Sequence, residues 1–148
     1  MSEFLKVLFV QKIDENEFEI ESLWCIKNDD NYIIDNIPFI AKSVSLGDTI
    51  KVEYDADEGA YYFDDFVSVS GNTTVRLFFD DEGIIEKIRE HLNDLGCESE
   101  AFLSRKIVAV NIPSIIDYTD IKNYFDEGER QNKWQYEESC LAHQIKPS

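Results

Sequence analysis

The chain has 148 residues, 43% of them apolar and including ten Phe, seven Tyr and two Trp, enough to build a core despite its charge. Its 14 basic residues face 31 acidic ones, for a formal net charge of −17. Phosphate binding depends on basic side chains that release counterions, so this balance argues against nucleic acid and against an anionic membrane surface, and favours long-range attraction of a basic protein.

The opening segment MSEFLKVLFVQK lacks a basic leader region, and Lys6 interrupts its apolar run. No stretch reaches the roughly 20 apolar residues needed to span a bilayer. Phe4 to Val10 predicts an apolar strand. Phe18 to Ile26 alternates: Phe18, Ile20, Ser22, Trp24 and Ile26 share one face, assigned to the core, and Glu17, Glu19 and Glu21 take the other, assigned to solvent. Asn28-Asp29-Asp30-Asn31 signals a turn before a short strand, Tyr32 to Ile34. In Asn36-Ile37-Pro38-Phe39, Pro38 blocks a central strand. Leu46-Gly47-Asp48 then turns the chain into a strand from Thr49 to Tyr54. The acidic loop Asp55 to Gly59 leads to another from Ala60 to Val69. These five strands predict a small β-barrel or a bent antiparallel sheet over residues 1–71.

Residues 72–148 mix element types. A strand from Thr73 to Phe79 precedes Asp80-Asp81-Glu82, which supplies an N-cap and dipole-favoured acids for a helix ending near Leu95, with Gly96 as its stop. Ile84, Ile85, Ile88, Leu92 and Leu95 form its apolar stripe. Strands from Cys97 to Leu103 and Lys106 to Ile112 follow. A helix from Tyr118 to about Arg130 then buries Tyr118, Ile121, Tyr124 and Phe125, and Trp134 to Cys140 closes as a short strand. The order β-α-β-β-α-β predicts a ferredoxin-like half, and the whole chain an α+β fold.

Three widely spaced cysteines (Cys25, Cys97 and Cys140) without a C-x-x-C argue against a disulfide framework or zinc cage and point to thiols in a reducing cytoplasm. The run Asp55-Ala56-Asp57-Glu58-Gly59 resembles the start of a calcium loop. It lacks the later ligands, however, and Phe66 stands where the bidentate Glu belongs. Cys140 and His143 are spaced as a conceivable nucleophile and base, but no oxyanion-hole pattern accompanies them. Neither a P-loop, a G-x-S-x-G nor a dinucleotide fingerprint is present, so no cofactor and no catalytic residue are expected.

Acidity is unevenly spread. Residues 1–70 hold 16 acids and five bases, residues 71–148 hold 15 acids and nine bases. The expected partner-binding surface is therefore Glu17, Glu19 and Glu21, together with Asp55, Asp57, Glu58, Asp64 and Asp65. Trp24 is expected in the core, and Trp134 either as an interface anchor or as packing between the two halves.

The segments ESLWCIK, YIIDNIPFIAKSVSLGD, SGNTTVRLFF, LGCESE and NYFDEGERQNKWQYEESCLAH resemble a bacterial family that shares a domain of unknown function, DUF4265. The order and spacing of Trp24, Asn36-Ile37-Pro38-Phe39, Gly47-Asp48 and Trp134-Tyr136-Glu137 carry the likeness. It implies a common two-part fold and transfers no functional residue. On charge, size and missing motifs, the expected function is an acidic cytoplasmic immunity protein or antitoxin that blocks a basic toxin domain, a nuclease by charge. The competing readings are a small-ligand regulatory module and a carboxylate-dependent enzyme.

Overall fold

The structure, a computed structural model, describes residues 3–144. The chain divides into two compact units, Met1–Ser70 and Gly71–Ser148. It is α+β with an N-terminal barrel, followed by a second sheet and two helices.

The barrel is built from β1 (Phe4–Asp14), β2 (Glu17–Asn28), β3 (Asn31–Ile34), β4 (Thr49–Asp55) and β5 (Ala60–Ser68). Successive strands pair antiparallel, and β1 closes on β5 through a short parallel contact, Val7 opposite Tyr61 and Leu8 opposite Tyr62. An odd number of up-and-down strands must close in parallel, which explains that geometry. Inward positions of every strand meet in one core: Val7, Phe9, Leu23, Cys25, Ile34 and Ile50, with Ala41 and Val44 from the loop after β3. Closure removes the exposed sheet edges that a five-strand meander would otherwise present.

Which face of β2 turns inward is decided by this pairing, and it is the opposite of the sequence expectation. Leu23 and Cys25 share a face with Glu19 and Glu21, in register with Val7, Leu5, Gln11 and Phe9 of β1. Leu5, Val7, Phe9, Leu23 and Cys25 are the apolar members of this set and need burial, so the glutamate face points into the barrel. Glu21 is only 8% exposed, Glu19 is half-buried, and Trp24 stands on the outside.

The second unit contains β6 (Thr73–Phe78), α1 (Ile85–Asp94, entered through a 3-10 turn at Glu82–Ile84), β7 (Glu98–Phe102), β8 (Ile107–Ile112), α2 (Tyr118–Arg130) and β9 (Gln135–Cys140). Its four strands lie in the order β7-β8-β6-β9, all antiparallel. Asp81 and Asp117 cap the helical segments through Gly83 N and Thr119 N, each at 2.8–2.9 Å. Val75, Leu77, Val108, Val110 and Ile112 pack with Ile85 and Leu92 of α1 and with Tyr118, Ile121 and Phe125 of α2. Leu95, expected in the α1 stripe, lies past the helix end and is exposed. The final strand forms as expected. Trp134 at its start belongs to the second unit's own core, where its Nε1 donates to Phe125 O at 3.1 Å. Among the described residues, no helix is long and apolar enough to cross a membrane.

Candidate functional site: the outer surface of the barrel

The loop of residues 35–48 shows how the barrel consumes part of its own acidity. Pro38 keeps this stretch out of the sheet, so its backbone donors need other acceptors. Glu21 supplies them from inside: its carboxylate accepts from Phe39 N (2.7 Å), Ile40 N (3.0 Å) and Ala41 N (2.9 Å). Gln11, beside it on β1, accepts from Lys42 N at 2.9 Å. Asn36 accepts from Trp24 N at 2.6 Å. Buried Asp48 holds both the loop's end and the barrel's exit, accepting from Ser45 N (2.9 Å) and Ser70 N (2.8 Å). Gly47, at φ 87°, supplies the left-handed turn immediately before it. Glu21 is thus a structural residue, and its place in the expected docking surface is corrected.

The remaining expected acids are scattered in role. Glu17 is exposed at the β1–β2 turn. The hairpin β4–β5 carries the others: Asp57, Glu58, Asp64 and Asp65 are exposed, with Glu53 beside them. Asp55, half-buried, organises the turn by accepting from Asp57 N (2.9 Å) and Glu58 N (3.3 Å), and Asp65 accepts from Phe66 N at 2.8 Å. The Tyr62 hydroxyl donates to Glu58. The hairpin therefore gathers five of the eight expected residues, Glu17 stands apart on another hairpin, and Glu19 and Glu21 face the interior.

A second surface was not anticipated. The outward rows of the β1–β2 ribbon pair Phe4 with Ile26, Lys6 with Trp24, Leu8 with Ser22, Val10 with Ile20 and Lys12 with Phe18. Phe4, Val10, Phe18, Ile20 and Trp24 are 55%, 53%, 60%, 54% and 44% exposed. None of these ten positions is acidic, in a unit that holds 16 acids. Lys6 places its ammonium 5.1 Å from the centre of the Trp24 ring. Alternation alone had put Phe18, Ile20 and Trp24 inside. The readable warning was Leu23 and Cys25 on the glutamate face, and Lys6 and Lys12 on the matching face of β1.

The second unit carries a polar network between α2 and β9. Tyr118, Lys122 and Asp126, one helical turn apart, meet Tyr136 and Glu138. Lys122 Nζ lies 3.3 Å from the Tyr136 hydroxyl and 3.4 Å from Glu138, and Tyr136 donates to Asp126. Burial alone would lower Lys122, but Tyr136 and Glu138 outweigh it and keep the ammonium protonated. Burial, then Asp126, pushes the Tyr136 hydroxyl up to about 12. Tyr118 is driven upward too, by burial first and Glu138 second. His143 is tied down, with Nδ1 2.6 Å from Thr73 Oγ1 and Nε2 2.9 Å from Pro113 O. Both ring nitrogens are engaged, so the ring is placed as a clasp and not as a base for Cys140.

Burial also raises Cys97 to about 11 and, with Asp35 adding to it, Cys25 to about 12. At neutral pH both remain thiols, poor nucleophiles and poor metal ligands. Among the described residues, no three His, Cys, Asp or Glu side chains are arranged to hold a metal ion. Cys25, Cys97 and Tyr136 each keep their proton to a higher pH folded than unfolded. Their contribution to stability is complete below pH 9, the thiols' ordinary value, and is lost as pH rises toward 12. Denaturant midpoints should hold steady up to pH 9 and fall above it, and Cys25→Ala with Cys97→Ala should flatten the first part of that fall.

The model of a domain of unknown function, DUF4265, matches residues 21–136, which span Glu21, the 35–48 loop and Trp134. The chain belongs to the DUF4265 family. Of the residues that carried the sequence likeness, Asn36, Phe39, Gly47 and Asp48 stitch the loop to the barrel and Trp134 closes the second core, whereas Trp24 stands exposed on the barrel's outside. No curated protein matches this DUF4265 chain. A solved structure is similar to it, described as a hypothetical protein from Neisseria gonorrhoeae. It is 23% identical, with a TM-score of 0.79, covering 96% of this chain and 98% of that one, and at this identity it speaks to the fold alone.

Proposed function

We propose that the protein is an acidic binding protein of the cytoplasm, of the immunity-protein or antitoxin type, that blocks a basic toxin domain such as a nuclease. The observation that supports this reading is the β4–β5 hairpin, which presents Asp57, Glu58, Asp64 and Asp65 together on a rigid closed barrel. Inhibition by occlusion asks for this and no chemistry: carboxylates pre-arranged on a scaffold, attracting a cationic cleft and then filling it. Buried free thiols at Cys25 and Cys97 support a reducing compartment. The second unit we read as ferredoxin-like, on its βαββαβ order and antiparallel β7-β8-β6-β9 sheet.

The test is charge reversal. Asp57→Lys, Asp64→Lys and Asp65→Lys combined should slow association with a basic nuclease domain that the wild type inhibits, on the order of 10- to 100-fold at low salt. Stopped-flow association at low and high salt reads this directly. Wild type should lose its advantage as salt rises, because screened charges no longer steer. An unchanged on-rate in the triple variant would refute the hairpin as the contact.

A further inference from the structure

We infer that the outer face of the β1–β2 ribbon is a self-association surface, through which two copies of this chain pair face to face. A soluble monomer rarely leaves more than a few hundred Å2 of contiguous apolar surface in water. Here five large side chains, each about half exposed, fill one face of a single strand pair. At on the order of 100 Å2 apiece, and with the half-buried Leu8 and Ile26 and the stems of Lys6 and Lys12 between them, the face offers about 700 Å2 per copy. Two such faces approach the 1,200–2,000 Å2 total of a stable interface.

The pattern of the face is self-complementary. Four of its five rows couple an apolar residue on one strand with an apolar residue or a lysine on the other, as in Lys6 with Trp24, Val10 with Ile20 and Lys12 with Phe18, and the central row sets Leu8 beside Ser22. A twofold axis parallel to the strands lays β1 of one copy over β2 of the other. Each lysine then meets an aromatic ring of the second copy, and no two lysines stand opposed. Lys6 already adopts this kind of contact with Trp24 of its own chain. The face is free of carboxylates, so the net charge of −17 opposes pairing only from its surroundings. That repulsion is screened by salt, whereas the apolar contact is not. Pairing should therefore tighten as salt rises, opposite to the salt response of a basic partner on the β4–β5 hairpin.

Sedimentation equilibrium of the purified full chain tests this. The wild type should sediment at twice 17.2 kDa, with a dissociation constant that falls as salt is added. Phe18→Lys with Ile20→Lys should weaken pairing by on the order of 100-fold or more, because the two adjacent rows they belong to lose their large apolar side chains and gain unpaired charges in both copies. Both side chains are more than half exposed, so the variant should keep the wild-type circular dichroism and melting temperature. Val69→Lys, which changes a 71% exposed residue outside this face, should leave the dimer intact. A wild type that stays monomeric at every concentration and salt overturns the inference and leaves the face to a different protein. A dimer that survives the double substitution overturns it as well, because the pairing surface then lies elsewhere.

Discussion

Gly128→Ala should cost the protein about 3–5 kcal/mol and could leave the second unit without a fixed core. In an exposed helix the same change would gain about 1 kcal/mol from alanine's higher helix propensity. Here the added Cβ would fall 1.9 Å from Cζ2 and 2.2 Å from Cε2 of Trp134, distances at which something must move. The indole has little room to do so. It is held between Phe79, at 5.9 Å, and Tyr124, at 5.4 Å, and its Nε1 donates to Phe125 O within the same helix that carries Gly128. Displacing the ring leaves that donor buried and unpaired, adding about 1–3 kcal/mol to the overpacking strain. Equilibrium denaturation of the variant reads the loss. Trp134→Phe in the same background should recover part of it, because a smaller ring vacates the space. Recovery would assign the effect to this one contact and not to the helix.

Glu21→Ala should be nearly as damaging, at about 2–4 kcal/mol, although it removes a charge from a chain that already carries too many of one sign. Surface electrostatics alone predicts a small gain from losing a carboxylate at net −17. The local structure predicts the reverse, because three successive backbone donors, Phe39, Ile40 and Ala41, all donate to this one carboxylate and lose it together. Three lost charge-assisted hydrogen bonds outweigh dispersed repulsion. Glu21→Gln keeps one carbonyl oxygen and should fall between the two. Thermal melts of the three proteins would order them wild type, Gln, Ala. If Glu21→Ala melted like the wild type, the carboxylate would belong to the surface after all, as the strand pattern first suggested.

Much of the architecture was legible before any coordinates. Asp80-Asp81-Glu82, Gly96 and an apolar stripe marked the first helix of the second unit, and the spacing of Tyr118, Ile121, Tyr124 and Phe125 marked the second, since helix signals are local and repeat every three to four residues. Pro38 and the Gly47-Asp48 pair marked where strands had to stop. The acidic hairpin was legible too, because Asp55 to Gly59 and Asp64-Asp65 sit in and beside a turn whatever the rest of the chain does. Gly128 was not: nothing in Gly128-Glu129-Arg130 announces that an indole six residues on will lie against it.

The face of β2 was where local reasoning failed. A strand's period of two divides its residues into two sets without saying which set is inside. Phe18, Ile20 and Trp24 made the more apolar set, so propensity placed them in the core. Closure of the barrel placed Leu23 and Cys25 there, in register with Val7 and Leu5. A core is defined by what several strands jointly enclose, and the loop at 39–41 needed a carboxylate inside. The sequence by itself determined the strands, the helices, the turns and the excess of negative charge. Only the tertiary structure decided that Glu21 holds the fold together and that the aromatic face of β2 is left in water, because both follow from pairings between residues far apart in the chain.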